Sequence, residues 1–83
     1  MNLIYADSYR NACTFALHQD LMPGDWTWIR DSATVRAYPR ADLYMAPRWE
    51  RHPHRDAIDG ALAHARGQHR LGTVTDLSGP AIW

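Results

Sequence analysis

Three arginines stand where an anion can be held. Arg10 closes Asp7-Ser8-Tyr9-Arg10, Arg30 opens Arg30-Asp31-Ser32 and Arg48 lies in Pro47-Arg48-Trp49, each just after a short apolar run. A guanidinium is a planar, permanently charged fork matched to carboxylate and phosphate, and a helix starting near Ser8 would add free N–H groups. Ser8, Arg10, Arg30 and Arg48 are therefore a candidate anion- or nucleotide-binding set, on condition that the fold brings them to one edge. In the competing reading each arginine pairs with an acid beside it, Asp7, Asp31 or Glu50, or faces water, where an ion pair contributes only ~0–1 kcal/mol.

Other residue types capable of chemistry are less well placed. His52-Pro53-His54, His64 and His69 carry the imidazoles that zinc, nickel or copper take. His64 and His69, however, are five residues apart, about 500° around a helix, and face different ways. The pattern predicts a histidine-rich surface turn, and no metal site is assigned. Cys13 adjoins an apolar helical stripe, which predicts a buried small hydrophobe; a nucleophilic thiol needs a base beside it, and His18 points elsewhere. Asp56 and Asp59, flanked by Arg55, read as a solvated helix face. No glycine-rich turn follows the first apolar run and the chain has no lysine, so neither a dinucleotide fingerprint nor a phosphate loop is supported. No catalytic residue and no cofactor is assigned.

Arg36, Arg40, Arg48, Arg51 and Arg55 form the densest basic stretch, with Tyr38, Tyr44 and Trp49 between them. Aromatics alternating with arginines can stack bases and track a phosphate backbone, which makes residues 36–55 a candidate nucleic-acid segment. Asp31, Asp42, Glu50 and Asp56 nearly cancel its charge and disfavour that partner. Of the four tryptophans, Trp26 and Trp28 share one side of a strand and are expected to cover the sheet. Trp49, in a polar loop, and Trp83, with Arg51, are the candidate contacts for a protein partner.

Composition sets the frame for these choices. Nine arginines balance nine acids, so no overall field draws the chain to nucleic acid or to an anionic membrane. A single cysteine excludes an intrachain disulfide and fits a reducing compartment. No apolar stretch approaches the roughly 20 residues of a membrane helix, and the opening residues lack the basic start of a signal peptide, which predicts a cytoplasmic protein. At 83 residues one domain is expected, and folding buries only roughly 60–65% of the unfolded chain's surface. Self-association is one remedy for so small a core.

The elements that must position these residues follow from hydrophobic spacing. Leu3-Ile4-Tyr5-Ala6 reads as a buried strand stopping at the capping pair Asp7-Ser8. A helix over 9–20 follows, with Ala12, Phe15 and Ala16 on its buried face, Cys13 and Leu17 widening that stripe, and Pro23-Gly24 as its stop. Trp26 to Arg30 is a second strand, 31–37 a single helical turn and Ala41 to Ala46 a third strand. A second helix begins at Pro53, shows its stripe in Ile58, Ala61, Leu62 and Ala65, and ends at Gly67 or Gly72. Leu71 to Thr75 is a weaker fourth strand because of its glycine. The fold class is thus α/β, a three- to four-stranded, mostly parallel sheet flanked by two helices, with strand order 2-1-3, a core over 3–70 and a tail over 76–83. In such a sheet the C-terminal strand ends share one edge, where ligands usually bind.

The opening Leu3-Ile4-Tyr5-Ala6-Asp7-Ser8-Tyr9-Arg10, the strand end Trp28-Ile29-Arg30-Asp31 and the helix around Ile58 to Ala65 resemble short hypothetical proteins encoded by phages of actinobacteria. The resemblance implies a small Rossmann-like fold and a phage accessory role in the host cytoplasm, and carries no active residues with it. The leading expectation is a non-enzymatic accessory protein that binds a host protein, a phage protein or itself. The alternatives are the anion or nucleotide module and the nucleic-acid segment.

Overall fold

The most apolar run becomes the centre of the sheet. In the computed structural model, which describes residues 1–77, β1 (Asn2–Tyr5) is flanked by β2 (Trp26–Trp28) on one side and β3 (Ala41–Met45) on the other, with β4 (Leu71–Asp76) beyond β3. All three pairings are parallel, in the order β2-β1-β3-β4. The expected 2-1-3 arrangement is present and the fourth strand extends it. A central parallel strand is covered on both faces, so it needs apolar residues in succession. Leu3, Ile4, Tyr5 and Ala6 are all fully buried.

Alternation along the strands divides the interior into two cores. Leu3, Tyr5, Ile29 and Leu43 face α2 (Ser32–Ala37) and α3 (Arg55–Gly67), meeting Val35, Ile58 and Leu62. Ile4, Ala6 and Ala46 face α1 (Tyr9–His18), meeting Ala12, Phe15 and Ala16. The result is a small Rossmann-like α/β fold with a third, six-residue helix between β2 and β3. Asp31 fixes the start of that helix by accepting the Thr34 N–H at 3.1 Å.

Several boundaries differ from the expected ones, for local reasons. α1 stops at His18 because Asp20 turns into the left-handed region (φ 56°), and the Leu21 N–H then closes on the Ala16 carbonyl at 3.0 Å. α3 ends at Gly67, the first of its two expected stops, with the reversal two residues later: His69 lies at φ 56°, and the Arg70 N–H reaches the Ala65 carbonyl at 2.9 Å. In neither helix is the left-handed residue a glycine. α3 also begins at Arg55, two residues past Pro53, because a short 3₁₀ turn (Trp49–Arg51) and the ring of His52 organise the approach to it.

Gly72 explains why β4 forms despite its glycine. Ala41 pairs with Leu71 and Leu43 with Val74, so three steps on β4 oppose two on β3 and the strand bulges at Gly72-Thr73. The Asp42 carboxylate folds into the bulge and accepts the Thr73 N–H at 2.9 Å. A Cβ at position 72 would collide with that carboxylate oxygen. The expected core limit moves outward too, since Leu71 and Val74 pack against the α3-side core. Of the expected tail, residues 78–83, including Trp83, lie outside the described residues.

Candidate functional site

The C-terminal edge of the sheet collects the loops that follow β1, β2 and β3, as expected of a parallel sheet, but distributes the nominated residues around it. Ser8 is the N-cap of α1, its hydroxyl oxygen accepting the Asn11 N–H at 3.2 Å. Arg10 is exposed on α1. Arg30 lies 3.8 Å from the carboxylate of Asp31 and borders an open hollow with Tyr9, Trp28 and Tyr38. Arg48, exposed and left-handed at φ 67°, borders a different hollow with Asn11, Thr14 and His18. Arg30 and Arg48 thus serve separate depressions, one toward β2 and one over the α1–β3 junction.

The loop after β3 is a closed corner. Tyr5, fully buried at the end of β1, donates its hydroxyl to Asp59 of α3 at 2.8 Å. Burial, and then the carboxylate that accepts the proton, raise the Tyr5 pKa well above that of a free phenol. Trp49 packs on the Tyr5 ring with centroids 5.1 Å apart. His52, only 4% exposed, has both nitrogens engaged: the His54 N–H donates to Nδ1 at 3.0 Å, so the ring proton is on Nε2 and is donated to the Ile29 carbonyl at 2.8 Å. The expected surface turn therefore has one histidine inside it, linking β2 to the approach to α3. Among the described residues no three His, Cys, Asp or Glu side chains are grouped as a metal site. Asp59, read from its spacing as solvated, is the acceptor for Tyr5, whereas Asp56 is exposed beside Arg55.

The corner also accounts for two nominated contacts. Trp49 is half-buried against the α3-side core, its ring tilted onto that of Tyr5. Arg51 is exposed at the end of the 3₁₀ turn.

The other flank of the edge is open. Along α1, Tyr9, Cys13 and Leu17 follow one another at four-residue intervals, one above the next on the same side of the helix. Tyr9 is 58% and Leu17 77% exposed, while Cys13 is partly buried. The Tyr9 ring lies 6.2 Å from both Trp26 and Trp28, which are half-buried on β2. Trp28 is held by its indole N–H, which donates to the Ala6 carbonyl at 3.0 Å. Contact with the Cys13 thiol raises the Tyr9 pKa. Tyr9 thus joins the line on α1 to the two tryptophans of β2.

Comparison of the chain with protein-family models, curated proteins and solved structures finds no match.

Leu17 and Cys13 were expected to widen the buried stripe of α1. Instead the buried line is Ala12, Phe15 and Ala16, and Tyr9, Cys13 and Leu17 form a second line beside it. α1 carries two apolar lines, and the sheet covers one of them. Among the described residues no helix is long and apolar enough to cross a membrane.

Proposed function

We propose that the chain is a non-enzymatic, phage-type accessory protein that works by binding another protein through the α1–β2 face. The observation that carries this reading is Leu17, 77% exposed and in line with Cys13 and with Tyr9, whose ring lies 6.2 Å from two half-buried tryptophans. Scattered exposed apolar residues are normal on a protein surface, but contiguous ones with aromatic members mark contact sites. The arginine placement favours this over an anion module, because Arg30 and Arg48 border different hollows. The packing of Trp49 on Tyr5 likewise removes a stacking platform from residues 36–55.

A photo-crosslinking amino acid placed at Leu17 in the producing cell tests the reading. Adducts with a protein are expected from position 17, and none from a matched probe at exposed Arg66 on α3. Absence of any protein adduct from position 17, with the chain folded, overturns it.

A further inference from the structure

The two outer strands differ in how their free edges are protected. β4 carries a bulge, a glycine and a terminal aspartate, features that discourage strand addition. β2 is Trp26-Thr27-Trp28, with no charge, proline or bulge, and among the described residues no strand lies beyond it. The Asn2 N–H donates to the Asp25 carbonyl and the Ile29 N–H to the Ile4 carbonyl. Alternation along the strand therefore turns the backbone of Thr27 toward β1 and the N–H and C=O groups of Trp26 and Trp28 outward.

Charge is distributed lengthwise around this edge. α1 runs down from the C-terminal edge of the sheet and β2 runs back up to it. Arg10 and Arg30 therefore lie at the upper end of the apolar face, and Asp20 and Asp25 at the lower end, all four exposed. The acids at the upper end have other tasks: Asp7 accepts the Asn11 amide, and Asp31 caps α2 while approaching Arg30 at 3.8 Å. An apolar strip with opposite charges at its two ends is complementary to itself when one copy is inverted. A two-fold axis makes that inversion, because it pairs each residue with the far end of its counterpart.

We propose that the partner of the α1–β2 face is a second copy of this chain, joined antiparallel along β2 about a two-fold axis, with the Tyr9-Cys13-Leu17 lines of the two α1 helices in contact. The inference rests on the reading of that face as a binding surface. In the dimer the two four-stranded sheets become one sheet of eight, and Arg10 and Arg30 of each copy face Asp20 and Asp25 of the other. A parallel alignment would set like charge against like and is disfavoured.

Sedimentation velocity from micromolar to millimolar concentration, on the full chain, is the first test. A concentration-dependent dimer is expected, and Leu17→Glu should weaken it at least tenfold while the circular dichroism spectrum is retained. The decisive arm uses charge reversal. Arg10→Glu and Asp20→Arg should each weaken the dimer, and an equimolar mixture of the two should form a heterodimer, since the mixture restores both opposite-charge contacts. A wild-type chain that stays monomeric at millimolar concentration overturns self-association; crosslinking from position 17 to a different protein would then leave the binding reading standing. A wild-type dimer whose charge-reversed variants, folded by the same spectrum, show no preference for the mixture overturns the antiparallel arrangement.

Discussion

Two groups of aromatic rings meet at Trp28, and the fold treats them in opposite ways. On one side, Tyr5, Trp49 and His52 are packed into the corner beneath the β3–α3 connection, and the Tyr5 hydroxyl and both His52 nitrogens have a partner inside the chain. Trp28 touches that corner, its ring 5.5 Å from His52. On the other side, Tyr9 leans on the same Trp28 at 6.2 Å yet remains 58% exposed, and the line it begins runs down α1 to Leu17. Similar residue types thus serve stability in one place and present surface in the other. What separates them is whether a second element covers them: α3 and the 3₁₀ turn close the corner, while among the described residues nothing closes the flank of α1 and β2.

The contrast predicts that substitutions in the corner act on folding and those on the open face act on association. His52→Ala should have the largest effect on stability. It removes a buried ring and leaves the Ile29 carbonyl and the His54 N–H without their partner, at a cost of about 2–4 kcal/mol. Chemical denaturation should show a midpoint shift of that size, and a loss below 1 kcal/mol would mean that the corner is not closed.

Tyr5→Phe should follow, at about 1–2 kcal/mol near neutral pH, because the Asp59 carboxylate loses its donor. Its pH dependence is more diagnostic. The folded-state pKa of Tyr5 is raised, so the stability it contributes is complete below the ordinary phenol pKa, about 10, and is lost as pH climbs from there toward the folded value. Denaturation measured from pH 9 upward should therefore fall more steeply in the wild type than in Tyr5→Phe. Equal slopes would place Tyr5 in an ordinary aqueous environment.

Gly72→Ala tests the protected edge. The new Cβ must displace the Asp42 carboxylate from the Thr73 N–H, so a loss of about 1 kcal/mol is expected, with faster amide exchange at Thr73. Unchanged exchange would show that the bulge does not depend on the glycine. Asp31→Ala should cost less. The Asp31 pKa is lowered, first by the Thr34 N–H it accepts and also by Arg30. A lowered carboxylate pKa stabilises the fold above the unfolded value and loses that contribution as pH falls through the folded one. The difference in Tm between wild type and variant should therefore be present at neutral pH and narrow on acidification below pH ~4.

How much of this was legible in the sequence depended on how local each cause is. The parallel sheet followed from apolar runs such as Leu3 to Ala6 and from crossover lengths, which are properties of neighbouring residues; the 2-1-3 order was a guess at the compact arrangement that such connections allow. Gly67 as the end of α3 was legible, but the reversals at Asp20 and His69 were hidden, because a left-handed residue that is not glycine leaves no compositional mark. The Gly72 bulge was hidden for a different reason: Asp42, which makes the glycine necessary, is 30 positions away. The site was less legible than the fold. Exposed Trp49 was the natural reading of a tryptophan in a polar loop, and only the packing of Tyr5 beneath it reveals a buried role. Leu17 is the converse case, since a leucine in a helical stripe is indistinguishable from core until the width of the covering sheet is known.

Leu17 accordingly gives the smallest expected effect on folding and the sharpest division between the two regions. A leucine belonging to the chain's own core costs about 2–5 kcal/mol on truncation, whereas one exposed to water costs within about 0.5 kcal/mol in either direction. Leu17→Gln removes the apolar side chain, adds no charge to the last turn of α1 and keeps the helix propensity nearly unchanged. Its denaturation midpoint, measured at a concentration low enough to exclude association, should coincide with that of the wild type, and its dimer constant should not. A loss above 1 kcal/mol under those conditions would place Leu17 in the chain's own interior and dissolve the distinction between a closed corner and an open face. An unchanged midpoint together with weakened association would assign the second apolar line of α1 to a partner.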